Sequence, residues 1–245
     1  MDIDFLLDTL SKLLAAVPTT LGLFFLSMLC GGALSVVIVA MRVSPYPALS
    51  WFARGYVLVF RGSPLLIQLF LIYYGLGQFE AVRASPFWLV LRSPYSCTVL
   101  ALALCTAGYT AEILRGGLIA VPHGQIEAGL ATGMSRWTLL QRVIAPITLR
   151  QCLPAYSTEL VLLVKSTALA SLVTVWDVTG VAQQIIQRSY RTMEVFICAA
   201  AIYLVLNFLL VRAVAMLEHR LSPHLRKRPS HRPTPAPSEP KPRTP

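Results

Sequence analysis

LLAAVPTTLGLFFLSMLCGGALSVVIVAM, residues 13–41, contains no charged side chain. A hydrocarbon core roughly 30 Å thick is crossed by about twenty residues of helix, so this stretch is long enough to span a bilayer. The whole chain shares its bias: 56% of residues are hydrophobic and 13% charged, too few solvated side chains to cover a water-soluble globule. The N-terminus carries Asp2, Asp4 and Asp8 against Lys12 alone. That is the wrong sign for the cationic start of a cleavable signal, so the first span is expected to stay in the mature protein.

Four further apolar stretches follow, at 57–79 with Arg61 near its start, 93–111, 149–175 carrying Glu159 and Lys165, and 195–217. The expected fold is an all-α membrane protein of about five transmembrane helices, its transmembrane domain covering residues 1–221. Lys and Arg near the span ends set the orientation. Arg42 and Arg54 mark the first loop as cytoplasmic, and Arg115, Arg136, Arg142 and Arg150 the third. The N-terminus is then periplasmic and the C-terminus cytoplasmic, as for a multi-pass protein of a bacterial inner membrane. Beyond residue 221 the composition turns to Pro, Arg, Lys and Ser, so 222–245 reads as a disordered Pro/Arg-rich cytoplasmic tail. Much of the net charge of +10 lies near this end, a pattern that suits a tail beside lipid headgroups and not a nucleic-acid surface. Cys30, Cys97, Cys105, Cys152 and Cys198 show no CxxC spacing and no neighbouring His cluster, so they are read as packing residues, with no metal site expected.

The third loop, 112–154, is patterned as two short helices and not as a linker. Pro122 opens the first at its N1 position and Gly133 closes it in a left-handed cap. Ser135 caps the second, whose apolar residues Leu139, Leu140, Val143 and Ile144 run until Pro146 breaks the pattern. Two readings fit: a rigid knob for a partner protein, or surface helices lying on lipid headgroups.

Within this loop Glu127-Ala128-Gly129, three residues, Gly133, nine residues and Val143-Ile144-Ala145-Pro146 resemble the EAA loop of binding-protein-dependent ABC permeases. Gly129 replaces the motif's second alanine, Val143 its isoleucine and Ala145 its leucine. A glycine there softens a helix by up to about 1 kcal/mol relative to alanine. Two more blocks resemble the polar amino-acid branch of histidine, glutamine, arginine and opine permeases. One is Arg61-Gly62-Ser63-Pro64-Leu65-Leu66-Ile67-Gln68-Leu69-Phe70 with Tyr73-Tyr74-Gly75; the other is Ala111-Glu112-Ile113-Leu114-Arg115-Gly116-Gly117 running into Val121-Pro122-His123-Gly124-Gln125. The resemblance implies an ABC importer permease (MetI-like) fold, not an enzyme. The implied partners are a second permease subunit, identical or related, an ATPase subunit and a periplasmic amino-acid-binding protein. Glu127, Ala128, Gly133, Arg136 and Pro146 would couple to the ATPase. The chain has no GxxxxGK[ST] loop, so it is expected to bind no cofactor itself, with ATP and Mg held by the ATPase chain.

Glu159 and Lys165 fall inside the fourth span, where an ionised group near the centre costs roughly 2.5–3.5 kcal/mol on insertion scales. Six residues along a helix set them about 120° apart, poor geometry for pairing with each other. Either each pairs with another helix or they meet substrate. The segments 154–160 and 165–171 resemble the fourth helix of basic amino-acid and opine permeases, in which the position of Glu159 is an acid; Thr158 stands where Asn is usual. The implied substrate is a cationic amino acid such as arginine, histidine, lysine, ornithine or an opine. Seven residues put Arg61 and Gln68 on one helical face. Arg61 either holds a substrate carboxylate or, near the cytoplasmic end of its span, anchors the helix at the interface. Tyr109 joins Glu159, Gln68 and Arg61 as a candidate substrate contact. Tyr109 and Glu112 are expected to end the third span, with Glu112 paired to Arg115 at i+3. Asp177 should cap a short periplasmic helix bearing Gln183 and Gln184.

A secondary transporter is expected to be longer, with repeated halves. An intramembrane enzyme needs a nucleophile with its base or a HExxH site, and neither is present. A permease for another small solute, glutamine, glutamate or methionine, is the remaining alternative; a methionine permease would share the loop but not the two amino-acid blocks.

Overall fold

The computed structural model describes residues 3–221; the tail expected over 222–245 lies outside them. Helix α1, Ile3–Arg42, extends the first charge-free run by ten residues at its N-terminus, where Lys12 reaches back to Asp8 at 2.5 Å. Helix α2, Pro47–Gly62, starts on a proline whose missing N–H costs nothing in a first turn. After the break at Ser63-Pro64 come α3, Leu65–Phe70, and a few further turns to Gln78, bent by 103° from α2. Then follow α4, Pro94–Ile119, α5, His123–Ala131, α6, Arg136–Leu139, α7, Ala145–Ser166, α8, Val178–Ser189, and α9, Thr192–Leu221.

Four segments are long and apolar enough to cross a bilayer, and the bent α2–α3 pair makes five if it counts as one span. Three boundaries differ from the sequence reading, each for a local reason. The second span starts ten residues earlier, at Pro47, and is broken, because Pro64 cannot donate and Gly62-Ser63 favours leaving the helix. The third span runs two turns past Glu112, so Tyr109 is an interior residue of α4 and not its end. Pro146 does not stop the second loop helix. A π turn, Leu140–Ile144, carries α6 directly into α7, and Pro146 falls in the first turn of the new ladder, where its absent N–H is tolerated.

Helix α1 is the hub. Near its N-terminus Leu13 and Ala16 pack with Val178 and Ala182 of α8 and Val195, Ala199 and Ile202 of α9. Midway, Phe24 joins Leu102 of α4, Leu160, Leu163 and Val164 of α7, and Val214. Towards its C-terminus Ile38 and Val39 meet Ala53, Val57 and Ala111. The α1–α4 contact is tight enough that a Cβ on Gly31 would lie 2.9 Å from the Ala103 carbonyl oxygen. Cysteine placement varies: Cys97 and Cys152 are buried and Cys105 and Cys198 partly so, whereas Cys30 is exposed on α1 and is not a packing residue within this chain.

Candidate functional site

The break after α2 decides where Arg61 lies. Starting at Pro47, α2 carries Arg61 fourteen residues along its axis, about 21 Å, so this exposed side chain lies level with the middle of α4. Its stem lies beside Gly108, midway along α4, and its guanidinium carbon sits 4.9 Å from the centroid of the Tyr109 ring. Arg61 is therefore level with the middle of α4 and not with either of its ends. The break also separates Arg61 from Gln68, so they do not share a helical face. Gln68 is buried, and its Nε2 donates to Phe60 O at 3.0 Å, Ser63 O at 3.1 Å and Ser63 Oγ at 2.9 Å. It stitches the break closed and thereby fixes the end of α2 on which Arg61 rides.

Glu159 projects from α7 and is 8% exposed. It lines a cavity of about 200 Å³ with Tyr109, Cys105, Thr106, Leu65, Leu162 and Ser166 among its walls. No cation lies within 4.0 Å of its carboxylate among the described residues, yet Arg61 is near enough to act on it electrostatically. The structure thus brings three candidates, Arg61, Tyr109 and Glu159, to one level of the bundle and leaves Gln68 outside the cavity. Sequence reasoning missed Cys105, Thr106, Leu162 and Ser166. The signal was the helical period: Cys105 and Thr106 precede Tyr109 by four and three residues, while Leu162 and Ser166 follow Glu159 by three and seven. A site with one anionic group, one aromatic face and few other polar atoms can hold a cation that has shed most of its water.

A second constellation forms at the loop end of the bundle. Helix α5 begins after Pro122, which occupies the N-cap and not N1. It ends in a Schellman motif: Met134 N donates to Gly129 O at 3.1 Å and Gly133 N to Leu130 O at 3.0 Å, with Gly133 at φ +79°. Ser135 Oγ accepts from Thr138 N at 3.2 Å and caps α6 as expected. Gly129 is buried against the Cδ1 end of Leu139, which would have to turn aside for a Cβ there, so α5 lies close to α6 at this point. Glu127, Ala128, Gly133 and Arg136 are exposed and Pro146 is partly buried. Beside them Leu130 and Trp137 are 51% and 65% exposed, an apolar patch on a rigid turn. Glu112 accepts from Arg115 at 2.8 Å, as its spacing suggested, and from Arg42 of α1 at 3.3 Å. At the opposite end Asp177 caps α8 by accepting from Gly180 N at 2.8 Å, and Tyr203 OH donates to it at 3.0 Å.

Comparison with known proteins agrees with this architecture. Residues 31–223 match the family described as "Binding-protein-dependent transport system inner membrane component". A nopaline transport system permease protein of Agrobacterium fabrum is 50% identical over 93% of this chain and 95% of its own length. A histidine/lysine/arginine/ornithine transport system permease protein of Escherichia coli is 38% identical over 88% of this chain and 91% of its own. The fold superposes with a TM-score of 0.79 on a chain from a crystal structure of an amino acid ABC transporter with histidines, at 31% identity over 90% of this chain and 99% of that one. The helical core of four or five candidate spans, the capped loop and these matches establish that the chain belongs to the family of inner-membrane permease components of binding-protein-dependent transport systems.

Proposed function

We propose that this permease carries amino acids with a cationic side chain, opines included, and that Glu159 is the group that selects them. The carrying observation is the chain's own guanidinium, that of Arg61, lying over the Tyr109 ring within the field of Glu159. An aromatic face beside a carboxylate is what a guanidinium, ammonium or imidazolium needs once it leaves water. Arg61 is the cation of this chain whose field reaches Glu159, and the substrate's cation takes over that role. Two relatives named for nopaline and for histidine, lysine, arginine and ornithine support the substrate class.

The assembly follows the same reading. The exposed patch around Leu130 and Trp137, with Glu127, Ala128, Gly133, Arg136 and Pro146 around it, is the docking face for an ATPase subunit that holds ATP and Mg. A second permease subunit completes the path, and a periplasmic binding protein delivers substrate. The bias of Lys and Arg towards the loop end supports a cytoplasmic loop, a periplasmic N-terminus and a cytoplasmic C-terminus.

The test is direct binding of labelled arginine and of citrulline, its neutral near-isostere, to the purified complex without binding protein. Glu159→Gln keeps size and hydrogen-bonding capacity and removes the charge. A charge-assisted contact of about 1.5–3 kcal/mol predicts a weakening of about tenfold to hundredfold for arginine. Citrulline should change little. Equal losses for both ligands would make Glu159 a structural acid and sink the assignment.

A further inference from the structure

We infer that Lys165 is the group that meets the α-carboxylate of the transported amino acid, so that the path reads a zwitterion at both ends. The inference rests on the assignment of the substrate's cation to Glu159.

Lys165 lies in the last turn of α7, is exposed, and has no ion-pair partner within 4.0 Å among the described residues. It belongs to a continuous uncovered stripe on that helix: Gln151, Ala155, Thr158, Leu162 and Lys165, spaced by four, three, four and three residues. Three of the five are polar. The uncovered faces of the other long helices differ in kind. Within the span, α1 exposes Leu14, Phe25, Leu26, Leu29, Val36 and Val37, and α9 exposes Leu204, Val205, Phe208 and Leu209. Acyl chains suit those two faces, whereas a lysine and a threonine at membrane depth belong against water or protein. The polar stripe of α7 therefore borders the aqueous path.

Lys165 is also within reach of the Glu159 cavity. Six residues of helix separate the two by about 9 Å along the axis. Leu162, half exposed, both lies on the stripe and lines the cavity, and Ser166, next to Lys165, lines it too. Six bonds separate the guanidinium carbon of arginine from its carboxylate carbon, an extended reach of about 7 Å. The four-carbon stem of a lysine makes up the remainder, even from the neighbouring face. Arg61 is the other cation nearby, but its guanidinium lies over the Tyr109 ring, at the end of the site assigned to the substrate's cation, whereas Lys165 stands at the distance the carboxylate requires. Lys165 lies further from the coupling loop than Glu159, so a solute arriving from that far end passes it first and is turned with its carboxylate trailing.

Agmatine, arginine without its carboxylate, isolates this contact as citrulline isolates the other. Binding of arginine, agmatine and citrulline is measured on the purified complex without binding protein, for wild type, Glu159→Gln, Lys165→Gln and Lys165→Arg. Wild type should hold arginine about tenfold or more tighter than agmatine. Lys165→Gln should bring arginine down to the agmatine level, leave agmatine within about twofold, and Lys165→Arg should restore most of the difference. Wild type binding agmatine as tightly as arginine overturns the inference whatever the variants do, and so does an equal effect of Lys165→Gln on both ligands. The arginine-to-citrulline ratio reports on Glu159 and the arginine-to-agmatine ratio on Lys165, which keeps a failure of that assignment separate from a failure of this one.

Discussion

Arg61 illustrates how a single side chain changes meaning when its helix is placed correctly. As a residue near the start of a span it belongs to the headgroup region. As the fifteenth residue of α2 it faces Gly108 and Tyr109 at mid-bundle, where a guanidinium needs both an aromatic face and an anion. If it holds the place of substrate, it lowers apparent affinity by the fraction of time it occupies the site. Arg61→Gln should then bind arginine about threefold to tenfold more tightly, read by equilibrium dialysis on the purified complex. A fall in arginine affinity with agmatine unaffected would instead make Arg61 the carboxylate holder and displace Lys165 from that role. Glu159 was legible as a candidate, because an acid inside an apolar run stands out in sequence. The role of Gln68 was not. Its three donated bonds exist only because the chain turns by 103° at Pro64, and an unbroken helix drawn through residues 57–79 sets the same amide on a substrate-facing side.

At the scale of the element, the segment between α4 and α7 shows which boundary signals carry information. The αL glycine and the Ser cap were readable because each has one geometry to satisfy, and both are present at Gly133 and Ser135. Pro146 misled, since a proline ends a helix only when the hydrogen bond it removes belongs to the ladder, and here the ladder is already being handed over through a π turn. Gly133→Val should cost about 1–2 kcal/mol at the joint, because a β-branched side chain is strained at φ +79°. Membrane insertion should be normal, while substrate-stimulated ATP hydrolysis by the reconstituted complex falls. Gly124→Ala, on the open face of α5 with nothing within 4 Å of the new Cβ, is the comparison and should behave as wild type. Equal activity of the two variants would show that the geometry of this turn does not matter to coupling.

For the whole molecule, four of the five expected spans followed from hydropathy, while the second is a bent pair; the order of packing did not follow, because an apolar helix in a membrane shows no amphipathic stripe to read. What selects the α1–α4 pairing is small residues, and adjacent glycines separate packing from composition. Gly31→Leu must push against the Ala103 carbonyl and should destabilise the subunit by about 1–3 kcal/mol, seen as a lower melting temperature in detergent. Gly32→Leu meets nothing within 4 Å and should be close to neutral; matching losses at both positions would refute the packing order. The fusion of α6 to α7 has a mechanical consequence. Between Arg136 and Glu159 the chain is one nearly uninterrupted rod of about 35 Å, softened at the π turn and at Pro154. A tilt of about 5° applied at its outer end displaces the carboxylate by about 3 Å, enough to break a charge contact and too little to require any helix to unfold. If Glu159 holds the substrate and the loop docks the ATPase, as proposed, grip and release need no relay of side chains, only a lever.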